Sequence, residues 1–270
     1  MKNFITRTLS GAVYVALIIA SILVSKYTFA AFFALLLVIA MHELDTLVRK
    51  ESQAHIIVRI IDYFTGVAIF ASTFAVCNLD IDPTIAAVTV IPCILVRFVA
   101  GLYLKEQSPI ISWAYSIFNI IYVAAPLAIL SVIYSLNPYI TLIVFALIWI
   151  NDTGAFLVGC TIGKHKMFPR ISPKKSWEGF AGGFVLCIIA CVVADIICES
   201  DEPVQWILLG AIASIFATWG DLVESLIKRT VGVKDSGKIM PGHGGILDRI
   251  DSLLMVAPAL LAYLLLIKQF

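Results

Sequence analysis

Nine apolar stretches occupy most of this chain, at 9–25, 28–47, 57–77, 84–104, 113–135, 139–160, 180–198, 204–222 and 252–268. Each is close to the roughly 20 residues that a helix needs to cross the hydrocarbon core of a bilayer. A backbone in hydrocarbon must satisfy its own N–H and C=O groups, so the pattern predicts an all-α integral membrane protein with about nine transmembrane helices. Composition excludes the soluble alternative. Of the 270 residues, 61% are hydrophobic and 14% charged, where soluble domains carry about 25% charged residues.

Lys and Arg accumulate on the cytoplasmic side of membrane proteins. With the N-terminus inside, seventeen of the nineteen basic residues fall on that face, and Lys26 and Lys268 alone fall outside. The short outer loops are acidic, with Asp80 and Asp82 in one and Glu199, Asp201 and Glu202 in another. The opening MKNFITRTLSGAVYVALIIASILV reads as an uncleaved first helix, because its apolar run is long and no small-residue cleavage site follows. Asp45, Asp62, Arg97 and Asp195 lie near span ends, where polar side chains are expected to reach the interface. The six cysteines form no CxxC pair, and Cys187 and Cys191 read as buried small hydrophobes. There is no internal repeat or low-complexity tract. The expectation is one polytopic domain over 1–270, with 1–148 mostly scaffold and 149–270 carrying the chemistry. Membrane lipids are its surroundings, and no nucleic-acid partner is expected.

One polar island interrupts this apolar sequence. Residues 221–251, DLVESLIKRTVGVKDSGKIMPGHGGILDRID, hold five acidic and five basic side chains. Charges beside a bilayer mark a functional site by default. Asp221, Ser225 and Lys228 recur at i, i+4 and i+7, and Asp248 and Asp251 at i, i+3, so each set shares a helix face. Lys228, Arg229, Lys234, Lys238 and Arg249 suit phosphate oxygens. The Gly-rich turn Pro241-Gly242-His243-Gly244-Gly245 permits close backbone approach to an anion. Three aspartates beside such a loop suggest a hard cation, and Mg²⁺ is usually held by one or two carboxylates plus substrate phosphates. Charged helix caps, or a basic patch on anionic headgroups, are the plainer readings. Neither explains acids and bases interleaved.

A second inner loop, KHKMFPRISPKKSWEG at 164–179, places Ser172, Lys174, Lys175 and Ser176 on the same membrane face. Topology signal and second phosphate clamp are equally good readings of it. Asp152, beside Asn151, is either a metal or substrate contact or a helix–helix hydrogen bond. His42 and Glu43 read as packing residues of the bundle, and His55 and His165 as ordinary loop residues. Gly232–Lys238 matches the first seven positions of a P-loop, but Ile239 replaces the required Ser or Thr and no strand is expected before it.

Residues 225–251 resemble the signature of the phosphatidate cytidylyltransferase (CDP-diacylglycerol synthase) family, bacterial type. The match runs through Ser225, Lys228, Arg229, Lys234, Asp235, Gly237, Pro241, His243, Gly244, Gly245, Asp248, Arg249 and Asp251. GDLVES, SPKKSWEG, Asp152-Thr153-Gly154-Ala155 and TRTLSGAVYVAL are similar to family features too. Phe156 departs, standing where many relatives have Tyr. The resemblance implies transfer of the cytidylyl group of CTP to phosphatidic acid, releasing pyrophosphate, with Mg²⁺ and a possible second cation. It implies Asp221, Asp248 and Asp251 at the metal, with Lys228 and Arg229 neutralising phosphates beside them. Substrate binding would fall to Ser172, Lys174, Lys175, Ser176, Ser225, Lys234, Lys238, His243 and Arg249. It also implies a homodimer, in a bacterial inner (plasma) membrane with N-terminus and site cytoplasmic. A CTP-dependent lipid kinase and an ion-coupled transporter are the competing classes. The GHGG-x-x-DR-x-D ending argues against the first, and the absence of repeat symmetry against the second.

Overall fold

The computed structural model describes residues 2–49, 55–240 and 244–267, with side chains described from residue 8 onward. Its helices are α1 (Lys2–Val24), α2 (Lys26–Val48), α3 (Ile56–Asn78), α4 (Thr84–Tyr103) and α5 (Pro109–Leu136), then α6 (Pro138–Ile162), α7 (Trp177–Cys198), α8 (Pro203–Thr230) and α9 (Leu247–Ile267). Eight of these, α2 to α9, are long and apolar enough to span a membrane; in α1 the described apolar run is Thr8–Val24. The protein is therefore an all-α integral membrane protein, with one small addition. Strands β1 (Lys166–Phe168) and β2 (Ser172–Ser176) form an antiparallel hairpin inside the second polar loop.

The chain divides into two compact units: Met1–Pro138 with Asp235–Arg249, and Tyr139–Lys234 with Ile250–Phe270. Pro138 suits the first position of a new helix, because its missing N–H has no intrahelical partner there. The break therefore falls at Asn137-Pro138. Residues 235–249 join the first unit because Glu43 of α2 binds them.

In the first unit, Ser25 caps α2 with a reciprocal box: Thr28 N donates to Ser25 Oγ (3.1 Å) and Ser25 N to Thr28 Oγ1 (3.0 Å). Buried rings fill the space between helices, with Phe29 stacked on Tyr134 (centroids 4.1 Å apart) and tilted against Phe33 (4.6 Å). Helix α5 contains a π-turn at Ile120–Ala124. Pro126 lacks an N–H and its ring crowds the carbonyl of residue 122, so a locally wider turn relieves the clash. Beside it, Asn119 Nδ2 donates to Met41 O of α2 (3.0 Å).

The charged residues near span ends do not reach the interface as expected. Asp45, Arg49, Asp62 and Arg97 are all 5% exposed or less. Arg49 bonds Asp45 Oδ1 (2.8 Å) and Asp62 Oδ2 (2.7 Å), and Arg97 Nε lies 3.2 Å from Asp62 Oδ1. Ser116 Oγ donates to Asp62 Oδ2 (2.8 Å), and Arg59 reaches Asp45 Oδ2 (3.1 Å). Each charge finds an opposite charge within the bundle, which desolvation makes preferable to standing alone in hydrocarbon. Asp195, in the second unit, likewise turns inward: it accepts from Ser200 Oγ (2.5 Å) and Glu202 N (3.2 Å), closing the turn into α8.

In the second unit α7 packs along α8 through small residues. A Cβ at Gly210 would stand 2.9 Å from Cys187 O and from Cys191 Sγ, the close approach that small residues allow between membrane helices. Cys187 and Cys191 are buried and unoxidised, consistent with packing residues. Asn151 of α6 accepts from Ser214 Oγ (2.6 Å) and donates to Thr218 Oγ1 (3.4 Å), fixing α6 against α8.

Candidate active site

The hairpin, the second half of α6, the start of α7 and Thr218–Asp221 of α8 line a cavity of about 590 Å³ in the second unit. Its polar lining includes Asn151, Asp152, Lys166, Lys174, Lys175 and Asp221, and its apolar lining Ala155, Phe156, Met167 and Phe180. Such a cavity suits a ligand that is charged in one part and apolar in another.

Local structure decides which side chains face it. Successive strand residues point to opposite faces, so Lys174 is exposed while Lys175 turns onto α8. Lys175 Nζ bonds Asp221 Oδ2 (2.7 Å) and Thr218 O (3.3 Å). Ser176 sits at the joint between β2 and α7, and its Oγ accepts from Gly179 N (3.1 Å) as the helix cap. Its hydroxyl is thus engaged structurally, although the residue lines the cavity. Glu178 ties the other side of the hairpin, accepting from Lys164 N and His165 N (3.2 Å each) and meeting His165 Nδ1 at 2.5 Å. His165 is therefore bound into the hairpin and is not a plain loop residue. Ser172 pairs with Phe168 in the strand register.

The Asp221–Ser225–Lys228 stripe forms only in part. Ser225 Oγ donates to Asp221 Oδ1 (3.1 Å). Lys228 instead forms an ion pair with Glu224, which is fully buried. Glu224 was not singled out in the sequence, although i, i+4 spacing to Lys228 was available to find it. Arg229 bonds the chain itself, donating to Val233 O (2.8 Å) and Ile171 O (3.3 Å), and so ties the end of α8 to the hairpin turn. Lys234, still in this unit, is exposed. The P-loop-like stretch follows a helix, α8, which removes the strand context that motif requires.

Asp251 approaches Asp221 where α9 meets α8. A Cβ at Gly220 would stand 2.7 Å from Asp251 O and 2.8 Å from Ser252 Cα, and Ser252 Oγ donates to Ala217 O (3.0 Å). Asp221 follows Gly220 on α8, so it stands beside this close contact with α9. Gly220→Ala should therefore push α8 off the α9 backbone. We expect a loss of about 1–3 kcal/mol of stability, seen as a lower thermal midpoint, together with reduced turnover.

Asp248 belongs to the first unit. Its Oδ2 accepts from Gly245 N (2.8 Å) and Ser236 N (3.0 Å), shaping the segment that precedes α9. Lys238 and Arg249 are exposed in the same segment. Asp221 and Asp251 both belong to the second unit. Among the described residues, no group of three or more His, Cys, Asp or Glu side chains forms a metal cage. His243 lies outside the described residues. Phe156 is exposed at the cavity wall.

Asp221 at the cavity wall beside Lys175, with Asp251 of α9 packed on the preceding Gly220, offers hard oxygens that fit a divalent cation whose remaining ligands come from phosphates. Fold and site together define a polytopic membrane protein with a charged cavity walled by its hairpin and by helices α6, α7 and α8. Residues 5–267 match the Cytidylyltransferase family, and the chain belongs to that family. It is 42% identical over 158 residues to the phosphatidate cytidylyltransferase of Staphylococcus saprophyticus, covering 58% of this chain and 60% of that protein. It is 52% identical over 118 residues to the enzyme of that name from Staphylococcus aureus (43% and 45%), and 49% over 114 residues to that of Bacillus subtilis (42% of each). The matched stretches thus span between 42% and 60% of these relatives' own lengths.

Proposed function

We propose that the protein transfers the cytidylyl group of CTP to phosphatidic acid, forming CDP-diacylglycerol and pyrophosphate. The observation that carries this is Asp221, paired with Lys175 at the wall of a cavity lined by Lys174 and apolar side chains, with α9 packed at Asp251 on the neighbouring Gly220. Family membership supports it. The lipid phosphate oxygen attacks the α-phosphorus of CTP; a P–O bond forms there and the α–β anhydride bond breaks, with pyrophosphate carrying away the charge. A phosphate monoester is largely ionised at neutral pH, so no protein nucleophile is required. Catalysis then rests on positioning and on neutralising charge.

Asp221 and Asp251 would hold Mg²⁺ and any second cation. When bound, the metal polarises phosphoryl oxygens and offsets charge on the leaving group. Lys175, on Asp221, and the exposed Lys174 bind phosphate oxygens, as do Lys234, Lys238 and Arg249. Ser225 orients Asp221, while Ser172 and Ser176 shape the hairpin wall. Lys228 acts chiefly by electrostatics on Asp251, because Glu224 holds its ammonium. Arg229 fixes the hairpin against α8. Asp248 fixes the backbone at Ser236 and Gly245, and His243 is a further substrate-binding residue. The site faces the cytoplasm of a bacterial inner membrane, as the inner excess of Lys and Arg supports, and the enzyme works as a homodimer.

The test uses purified protein in detergent–lipid micelles with phosphatidic acid, Mg²⁺ and CTP labelled in the cytosine ring. The expected result is Mg²⁺-dependent label in the lipid with stoichiometric pyrophosphate. CDP release with a lipid alcohol, and no lipid label, would replace this reading by a lipid kinase.

A further inference from the structure

Glu43 lies near the C-terminal end of α2, is 4% exposed, and has no part in the chemistry above. Its carboxylate accepts three hydrogen bonds from a segment about 200 residues away in the chain. Oε1 takes Ile246 N (3.1 Å), while Oε2 takes Leu247 N (2.8 Å) and Ser236 Oγ (3.1 Å). Asp248 Oδ2 takes Ser236 N and Gly245 N of the same segment. Two carboxylates thus gather five donors from both ends of one loop.

The loop sequence is fitted to this acid. A Cβ at Gly237 or at Gly245 would stand 2.3 Å from a Glu43 oxygen, so any side chain there would displace the carboxylate. The amides of Ile246 and Leu247 belong to the N-terminal end of α9, where a negative charge is favoured. A helix cap alone would need only those two. The third bond, from Ser236 at the far end of the loop, closes the loop and is not needed to start the helix.

We propose that Glu43 is a positioning residue for cytidylyl transfer: by binding Ser236, Ile246 and Leu247 it fixes the backbone at 236–240 and 244–249, which carries Lys238, Asp248 and Arg249. The proposal rests on the function given above. A neutral amide at this position fails because its NH₂ group would face donors, and removing an outer-shell partner of this kind typically lowers activity about 10- to 100-fold.

The test compares the full-length wild type with Glu43→Gln and Ser236→Ala in phosphatidic acid micelles. It measures kcat and KM for CTP, together with amide hydrogen exchange along the chain. Glu43→Gln is expected to lower kcat about 10- to 100-fold, with a smaller change in KM, and to raise exchange in 235–249 while α3 to α5 keep wild-type protection. Ser236→Ala leaves the two helix amides on Glu43. It should produce a smaller kcat loss, with exchange raised mainly in 235–240. Wild-type kcat in Glu43→Gln, or exchange raised evenly over the chain, would overturn the proposal. So would a silent Ser236→Ala. If the wild type itself transfers no label, cytidylyl transfer falls and with it Glu43's catalytic role. The exchange pattern then still decides whether the clamp exists.

Discussion

Asp221→Asn is expected to lower turnover on the order of 10³-fold, the scale of removing a group that stabilises developing charge at a reacting centre. It should leave a folded, membrane-inserted protein. Asp221 is half-buried at the cavity wall, and its ion pair with Lys175 is partly open to solvent, with side chains 25% and 35% exposed. Pairs of that kind contribute about 0–1 kcal/mol, so the loss of charge costs little in stability. Its cost to the reaction is larger, because the amide binds a hard cation poorly and Asp251 would be left to hold Mg²⁺ alone. Two measurements check this. Thermal midpoints without CTP should rise with added Mg²⁺ in the wild type and not in the variant, since a ligand stabilises only the state that binds it. Label transfer into lipid should then stay about 10³-fold below wild type in the variant at all Mg²⁺ concentrations. A variant with near-normal turnover would remove Asp221 from the metal site.

The helices were legible because their signal is local: about 20 apolar residues have little alternative in a bilayer. That 221–251 is a polar island was legible for a similar reason, since ten charges there conflict with everything around them. What the sequence hid depends on contacts between distant residues. Lys228 shares a face with Asp221 two turns away, but Glu224 is only one turn away, and the buried Glu224 takes its ammonium. Asp248 looks like a partner of Asp251 at i, i+3, yet backbone amides of its own loop engage one of its oxygens. The hairpin has strands of three and five residues, interrupted by Pro173, too short for a period-2 pattern to register. Glu43 gave no signal as a site residue, because its donors are mostly backbone amides and those leave no trace in side-chain identity.

The same reasoning predicts the largest effect on stability in the first unit. Asp62→Ala is expected to destabilise it by about 3–5 kcal/mol, the cost of breaking a buried ion pair by removing one partner. Asp62 is fully buried and holds two guanidiniums, Arg49 Nη2 at 2.7 Å and Arg97 Nε at 3.2 Å, with Ser116 Oγ at 2.8 Å. Alanine would leave three arginines (49, 59 and 97) facing two acids, Asp45 and Glu106, where the wild type balances three against three. The uncompensated charge has no water to turn to inside the bundle. Removing one arginine along with the acid restores the balance, so Asp62→Ala with Arg97→Met should recover most of the loss. Thermal unfolding of the purified variants in one detergent checks the pair of outcomes. If the single variant matched the wild type, the charge network would contribute nothing to this unit. If the double variant were no better than the single, the loss would come from the cavity left by the side chain and not from unpaired charge.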